Sequence, residues 1–210
     1  SSHRTNFTNF MQYTCNRLHT ERPGTTVSIA LYSVDWSSTF DMAALNNYVD
    51  AFIYMGYDYH YGGGNPGPNA PLHHGSTWAS YPYSYHRTTN FYTAQGTTKS
   101  KLLAGVPYYG QNWPSSSGTK TNLVGTYTNI WDESSFTPYF AYQVSGAWRQ
   151  CWWDNEQSLS EKYDMVRDKG LGGIGIWALG YDDGYTQLWD LIYDKFTACG
   201  TATCTDTHYD

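Results

Sequence analysis

Residues 49–61 read VDAFIYMGYDYHY, residues 101–113 read KLLAGVPYYGQNW and residues 171–183 read LGGIGIWALGYDD. Each is a mostly apolar run that breaks into aromatic residues and glycine, and two of the three add aspartate. Continuous rather than alternating apolar character predicts strands covered on both faces, here Val49–Tyr57, Lys101–Val106 and Leu171–Leu179. A fourth such run, TVSIALYSV over Thr26–Val34, empties into Asp35-Trp36. Helical spacing fills the intervals. Thr5 to His19 puts Phe7, Phe10, Met11, Thr14 and Leu18 at helical spacing, and Arg22-Pro23-Gly24 stops it. Met42–Tyr48 follows Asp41 as N-cap, and Tyr85–Gln95 precedes the third run. Glu156–Lys169, capped by Asp154 and closed by Gly170, carries Leu159, Tyr163 and Val166 on one face. Gly184–Phe196 ends the series. Serial strand–helix units predict an α/β fold with a parallel sheet, of the (β/α)8 barrel type with about four units present. Residues 111–153 differ, being short Thr-, Tyr- and Ser-containing runs broken by Gly and Pro, and predict an inserted set of β-hairpins. The expected organisation is one barrel portion over 1–196 and a polar tail over 197–210, where Cys199 and Cys204 are placed for a disulfide.

Composition narrows the function. Charged residues are 14% of the 210-residue chain, against about 25% in ordinary domains, and the net charge is -6. No basic cluster exceeds the Lys99-Ser100-Lys101 run, which excludes a nucleic-acid partner. No stretch reaches the roughly 20 apolar residues of a membrane span. The surplus is in 21 Tyr and 9 Trp, rings with an apolar face and a polar edge. Sugar rings, with C–H faces and hydroxyl rims, are the natural complement.

Motifs for other chemistries are missing. His60, His73, His74 and His86 gather in or near the 58–83 loop, yet no H-E-x-x-H or Cys-rich spacing accompanies them, so no metal site is expected. There is no G-x-S-x-G elbow. Gly62-Gly63-Gly64 leads into Asn65-Pro66 rather than a helix, which argues against a phosphate cradle. No cofactor is implied. What remains is the rim at the strand ends, where parallel βα barrels collect their reactive groups. Asp35-Trp36, Met55 to Tyr59, Pro107 to Gln111 and Trp177 to Asp183 would all face that one mouth.

Taken in order, these strand ends resemble the later strands of the family 18 glycoside hydrolases, the chitinase family, over about Thr5 to Phe196. The most specific elements are Met55-x-Tyr57-Asp58 and Trp177 followed by Gly180-Tyr181-Asp182-Asp183. The resemblance implies retaining, substrate-assisted hydrolysis of β-1,4-linked N-acetylglucosamine polymers, in which the substrate's acetamido oxygen attacks the anomeric carbon instead of an enzyme carboxylate. Tyr57 and Asp58 are then the catalytic residues, Tyr57 donating its O–H to the acetamide. Trp177, at a position where the family often has a non-proline cis peptide, forms the sugar's floor, and Met55 lies against the same sugar. Tyr109, Trp36, Trp113 and Tyr181 are expected at flanking subsites.

The family's Asp-x-x-Asp-x-Asp-x-Glu run, which holds the general acid, is absent from these residues. Because Thr5–His19 resembles the helix that follows that run, the chain reads as the C-terminal half of the barrel, with the acid upstream. Taken alone it is expected to be inactive, and its open sheet edges call for the N-terminal half of the barrel or a second copy of the chain. A non-catalytic, chitinase-like carbohydrate-binding protein stays open as the alternative. An external glycan and a terminal disulfide imply a secreted or cell-surface location.

Overall fold

The structure, a computed structural model, describes residues 2–113 and 127–197. A 20-residue helix, α1 (Ser2–Glu21), leads into β1 (Ser28–Leu31), α2 (Met42–Leu45) and β2 (Ala51–Tyr54). Next come α3 (Tyr85–Ala94), a 3-10 turn over Lys99–Lys101 and β3 (Leu102–Pro107). Four strands follow: β4 (Gln111–Trp113), β5 (Ile130–Asp132), β6 (Thr137–Val144) and β7 (Ala147–Trp152). The chain then forms α4 (Glu156–Asp168), β8 (Gly173–Trp177) and α5 (Gln187–Phe196).

Strands β1, β2, β3 and β8 form one wholly parallel sheet in that order, which is the strand–helix succession that the apolar runs predict. Parallel pairing puts every C-terminal strand end on the same edge. The register makes this concrete: Leu31 sits beside Tyr54, Tyr54 beside Ala104, and Pro107 beside Trp177. The fold is α/β of the TIM-barrel type. Strands β4, β7, β6 and β5 form a second, antiparallel sheet between β3 and α4.

The core lies between the middle of the parallel sheet and its helices. Phe52, Tyr54, Leu102, Ala104 and Val106 pack with Leu45, Tyr85, Leu159, Tyr163 and Val166. Each large side chain taken fully from water contributes about 1.5–3 kcal/mol. Expectation and structure part at the edge strands. In β1 Ser28 and Ala30 are exposed while Leu31 is buried, and β8 runs half-buried to exposed along its length. Among the described residues both strands pair on one side only, and the exposure of Ser28, Ala30 and Trp177 shows that these apolar runs are not covered on both faces.

Two helix starts also differ from the reading. Asn155, not Asp154, caps α4, accepting from the Ser158 amide at 3.0 Å in a capping box. Asp154 is used differently: it takes the Ser158 hydroxyl at 2.6 Å and pairs with Lys162, whose side chain is 0% exposed. α5 starts at Gln187, because Gly184, at φ +83°, sits in a turn ahead of it. Asp41 caps α2 as its position suggests, accepting from the Ala44 amide at 3.3 Å. Cys199 and Cys204 lie outside the described residues.

Candidate functional site

The approach to the rim is set where β2 and β3 come closest. A Cβ on Gly56 would stand 2.5 Å from the Gly105 carbonyl oxygen and 2.6 Å from the Tyr85 ring, so only glycine fits. Tyr85, buried in α3, donates its hydroxyl to that same oxygen at 2.6 Å. Next to it, the hydroxyls of Tyr54 and Tyr59 meet Thr89 and Thr88 of α3 at 3.0 and 2.7 Å. Tyr57 and Asp58 are therefore carried on a short segment anchored on both sides.

Asp58 adopts φ 55°, a left-handed conformation that aspartate tolerates better than most residues. Its amide donates to Asn69 Oδ1 at 2.9 Å, and Asn69 Nδ2 donates onward to the Tyr109 carbonyl at 3.4 Å. The carboxylate receives two donors on Oδ1, the Tyr109 hydroxyl at 2.8 Å and Gln111 Nε2 at 2.9 Å. Oδ2 has no donor among the described residues. The Tyr57 ring meets Tyr109 edge-on at 5.9 Å, and Tyr109 meets Tyr181 edge-on at 6.5 Å. Burial pushes the Tyr57 phenol above its usual value, and the neighbouring Asp58 charge adds to the rise. The same two causes, in the same order, act more strongly on Tyr109. Both phenols hold their protons at neutral pH, and Tyr109 donates its own to Asp58.

Met55, Tyr57, Asp58 and Trp36 line one hollow of about 290 Å³. Trp36 is 71% exposed and stands edge-on to Tyr83 at 4.9 Å. Trp177 ends β8 beside Pro107, its carbonyl accepts the Tyr108 amide at 2.8 Å, and the residue is 55% exposed at that strand end, outside the lining of this hollow. The Trp177–Ala178 peptide is cis. Tyr109 and Tyr181 border a second hollow, so Tyr109 stands between the two.

Trp113 is placed elsewhere. It is 3% exposed and sits opposite Gln150 within the antiparallel sheet, without an open ring face. Asp35, expected among the rim carboxylates, is buried and accepts from the amides of Thr39 at 2.8 Å and Phe40 at 3.3 Å. It holds a turn. Asp58 is fixed from either side by Gln111, which the sequence places at the rim without a role, and by Asn69, which the sequence reading did not select. The loop histidines are packed: His73 stacks on His86 at 4.3 Å, and His60 lies between Trp78 at 5.1 Å and Tyr81 at 4.9 Å.

The family model described as glycosyl hydrolases family 18 matches residues 1–182. Among curated relatives, a Bacillus subtilis (strain 168) protein named putative sporulation-specific glycosylase YdhD is 27% identical over 197 residues, covering 85% of this chain and 44% of its own. An endochitinase of Brugia malayi is 27% identical over 191 residues, covering 75% of this chain and 36% of its own. The chain thus spans less than half the length of either relative. Among solved structures, a family 18 N-acetylglucosaminidase from Paenibacillus barengoltzii superposes with a TM-score of 0.77 at 25% identity, covering 91% of this chain and 63% of that one. Chitinase ChiW from Paenibacillus sp. str. FPU-7 superposes with a TM-score of 0.83 at 22% identity, covering 93% of this chain and 26% of that one.

Proposed function

The chain belongs to glycosyl hydrolases family 18, and from that premise we propose that it forms the acetamide-gripping side of a chitinase-like active site acting on β-1,4-linked N-acetylglucosamine polymers. The observation that carries this is Tyr57. Its phenol is kept protonated by burial and by Asp58, lines the rim hollow, and meets no hydrogen-bond partner among the described residues. A donor held in that way suits the carbonyl oxygen of a sugar's acetamido group.

In the proposed reaction that oxygen attacks the anomeric carbon, the glycosidic bond breaks, and a protonated carboxyl group supplies the leaving oxygen's proton. Tyr57 holds the acetamide and stabilises the charged ring that forms. Asp58, fixed through Oδ1 by Tyr109 and Gln111, has Oδ2 left over to accept from the acetamide N–H. Preorganised donors of this kind are worth about 3–4 kcal/mol of barrier. Trp177 supplies the apolar face beneath the sugar, Met55 a soft contact beside it, and Trp36 and Tyr181 further stacking surfaces.

These residues contain no Asp-x-x-Asp-x-Asp-x-Glu run, so the proton donor in this proposal comes from upstream sequence. The same upstream half would close the barrel against β1 and β8, where Tyr32, Leu179 and Tyr193 are exposed. The proposed glycan is extracellular or in a cell envelope, which supports secretion or surface display.

The test is turnover of N-acetylglucosamine oligomers by this chain alone and by a longer polypeptide carrying the acidic run. The proposal expects hydrolysis only from the longer protein. Hydrolysis by the 210-residue chain after rigorous removal of other enzymes would refute the assignment of the acid.

A further inference from the structure

The second hollow, about 510 Å³, lies on the other side of Tyr109 from Asp58. Tyr109 and Tyr181 wall it toward the rim, and Asp154, Glu156 and Asp182 contribute to its lining. Two facts set it apart from an ordinary aromatic crevice. The Asp154 side chain is 1% exposed and its Oδ1 is taken by Lys162 and the Ser158 hydroxyl, yet its Oδ2 is buried with no hydrogen-bond partner. Asp182 Oδ2 is likewise buried without one.

Buried carboxylate oxygens are normally saturated with donors, and two unsaturated ones on a single cavity ask for a donor from outside. The charge count agrees. No Lys, Arg or His lines the hollow. Lys162 offsets Asp154 from behind, which leaves Glu156 and Asp182 uncompensated at the walls. An acetamido group would bring one N–H donor, with an acceptor oxygen and a methyl group beside it and no charge, whereas an ammonium brings three donors and a compensating charge.

We propose that this hollow is a subsite for a deacetylated sugar, binding the 2-ammonium group of a glucosamine unit in a chain whose acetylated neighbour occupies the Tyr57 hollow. The inference rests on the glycan-binding reading above and adds substrate preference to it: partly deacetylated chains over fully acetylated ones. Tyr109 is the divider, with its hydroxyl committed to Asp58 and its ring on the border of the second hollow.

Calorimetric titration of the chain with an N-acetylglucosamine tetramer and with a partly deacetylated tetramer, at a mildly acidic pH that protonates the sugar amine, tests this. The deacetylated tetramer is expected to bind about 10-fold more tightly at low salt, with the ratio shrinking at high salt as charge is screened. Asp182→Asn should bring the two affinities together. Glu156→Gln, at an exposed helix position, should reduce the ratio and keeps the test open if the first variant does not fold. Equal affinities, or a preference that both folded variants retain, overturns the subsite while leaving the glycan-binding reading intact. Failure of both tetramers to bind overturns the two together.

Discussion

The Tyr85 hydroxyl donates to the Gly105 carbonyl oxygen at 2.6 Å, and the Gly56 amide reaches the same oxygen at 3.1 Å. One oxygen thus joins α3, β3 and the segment that follows β2, one residue before Tyr57. Gly56→Ala would press a methyl group into this junction and should destabilise by about 1–3 kcal/mol. Tyr85→Phe, which removes one donor and leaves the other, should cost about 0.5–1.5 kcal/mol. Urea unfolding of the two variants checks both the magnitudes and their order.

Lys162 and Asp154 are an ion pair without solvent access. Lys162→Met should cost about 3–5 kcal/mol, because it leaves a buried carboxylate without its counter-charge. Adding Asp154→Asn should recover part of that loss. A double variant that is less stable than Lys162→Met by the full cost of Asp154→Asn would show that the two side chains are not coupled.

His86 stacks on His73, and burial, then the His73 charge, lowers its pKa from 6.5 to about 4. Burial likewise lowers His73. Between these limits the unfolded chain binds protons that the folded chain does not. Stability contributed by the stack is therefore complete above about pH 6.5 and is lost as the pH falls toward about 4. The expected result is that His86→Gln flattens the stability profile across that interval relative to the parent, as read by thermal melts at a series of pH values.

Asp58 raises the Tyr57 phenol by its charge, second to burial. Asp58→Asn should lower the Tyr57 titration while leaving it above the ordinary tyrosine value, which NMR of carbon-labelled tyrosine can follow. Removing the charge should leave burial as the remaining cause.

In a longer polypeptide that supplies the acid, Tyr57→Phe should reduce kcat by about 100-fold or more with a small change in KM, since the proposed donor acts mainly on the developing charge. An equal loss expressed wholly in KM would place Tyr57 in ground-state binding instead.

The strand succession is readable because uninterrupted apolar runs have few other uses, and each of the four carries expected rim residues at or just behind its end. The exposure of β1 and β8 is not readable, since cover on a second face belongs to the neighbouring elements and leaves no mark in Ile29 or Ile174. Asp154 and Asn155 are both competent caps in adjacent positions. Lys162, eight residues from Asp154, decides between them by drawing the aspartate inward. Gln111 is 53 residues from Asp58 and Asn69 is 11, and neither amide has a spacing that announces its partner. Trp113 shows the reverse error, because an aromatic residue just past a strand end can as well begin a second sheet.

The left-handed backbone at Asp58 restricts which replacements that position can accept. Glycine, asparagine and aspartate take this twist with least cost, and among them aspartate alone is ionised. Glutamate, the usual conservative exchange, would keep the charge and lose the shape. Asparagine is therefore the replacement that strips the charge from this position while keeping both the twist of the main chain and the outline of the side group.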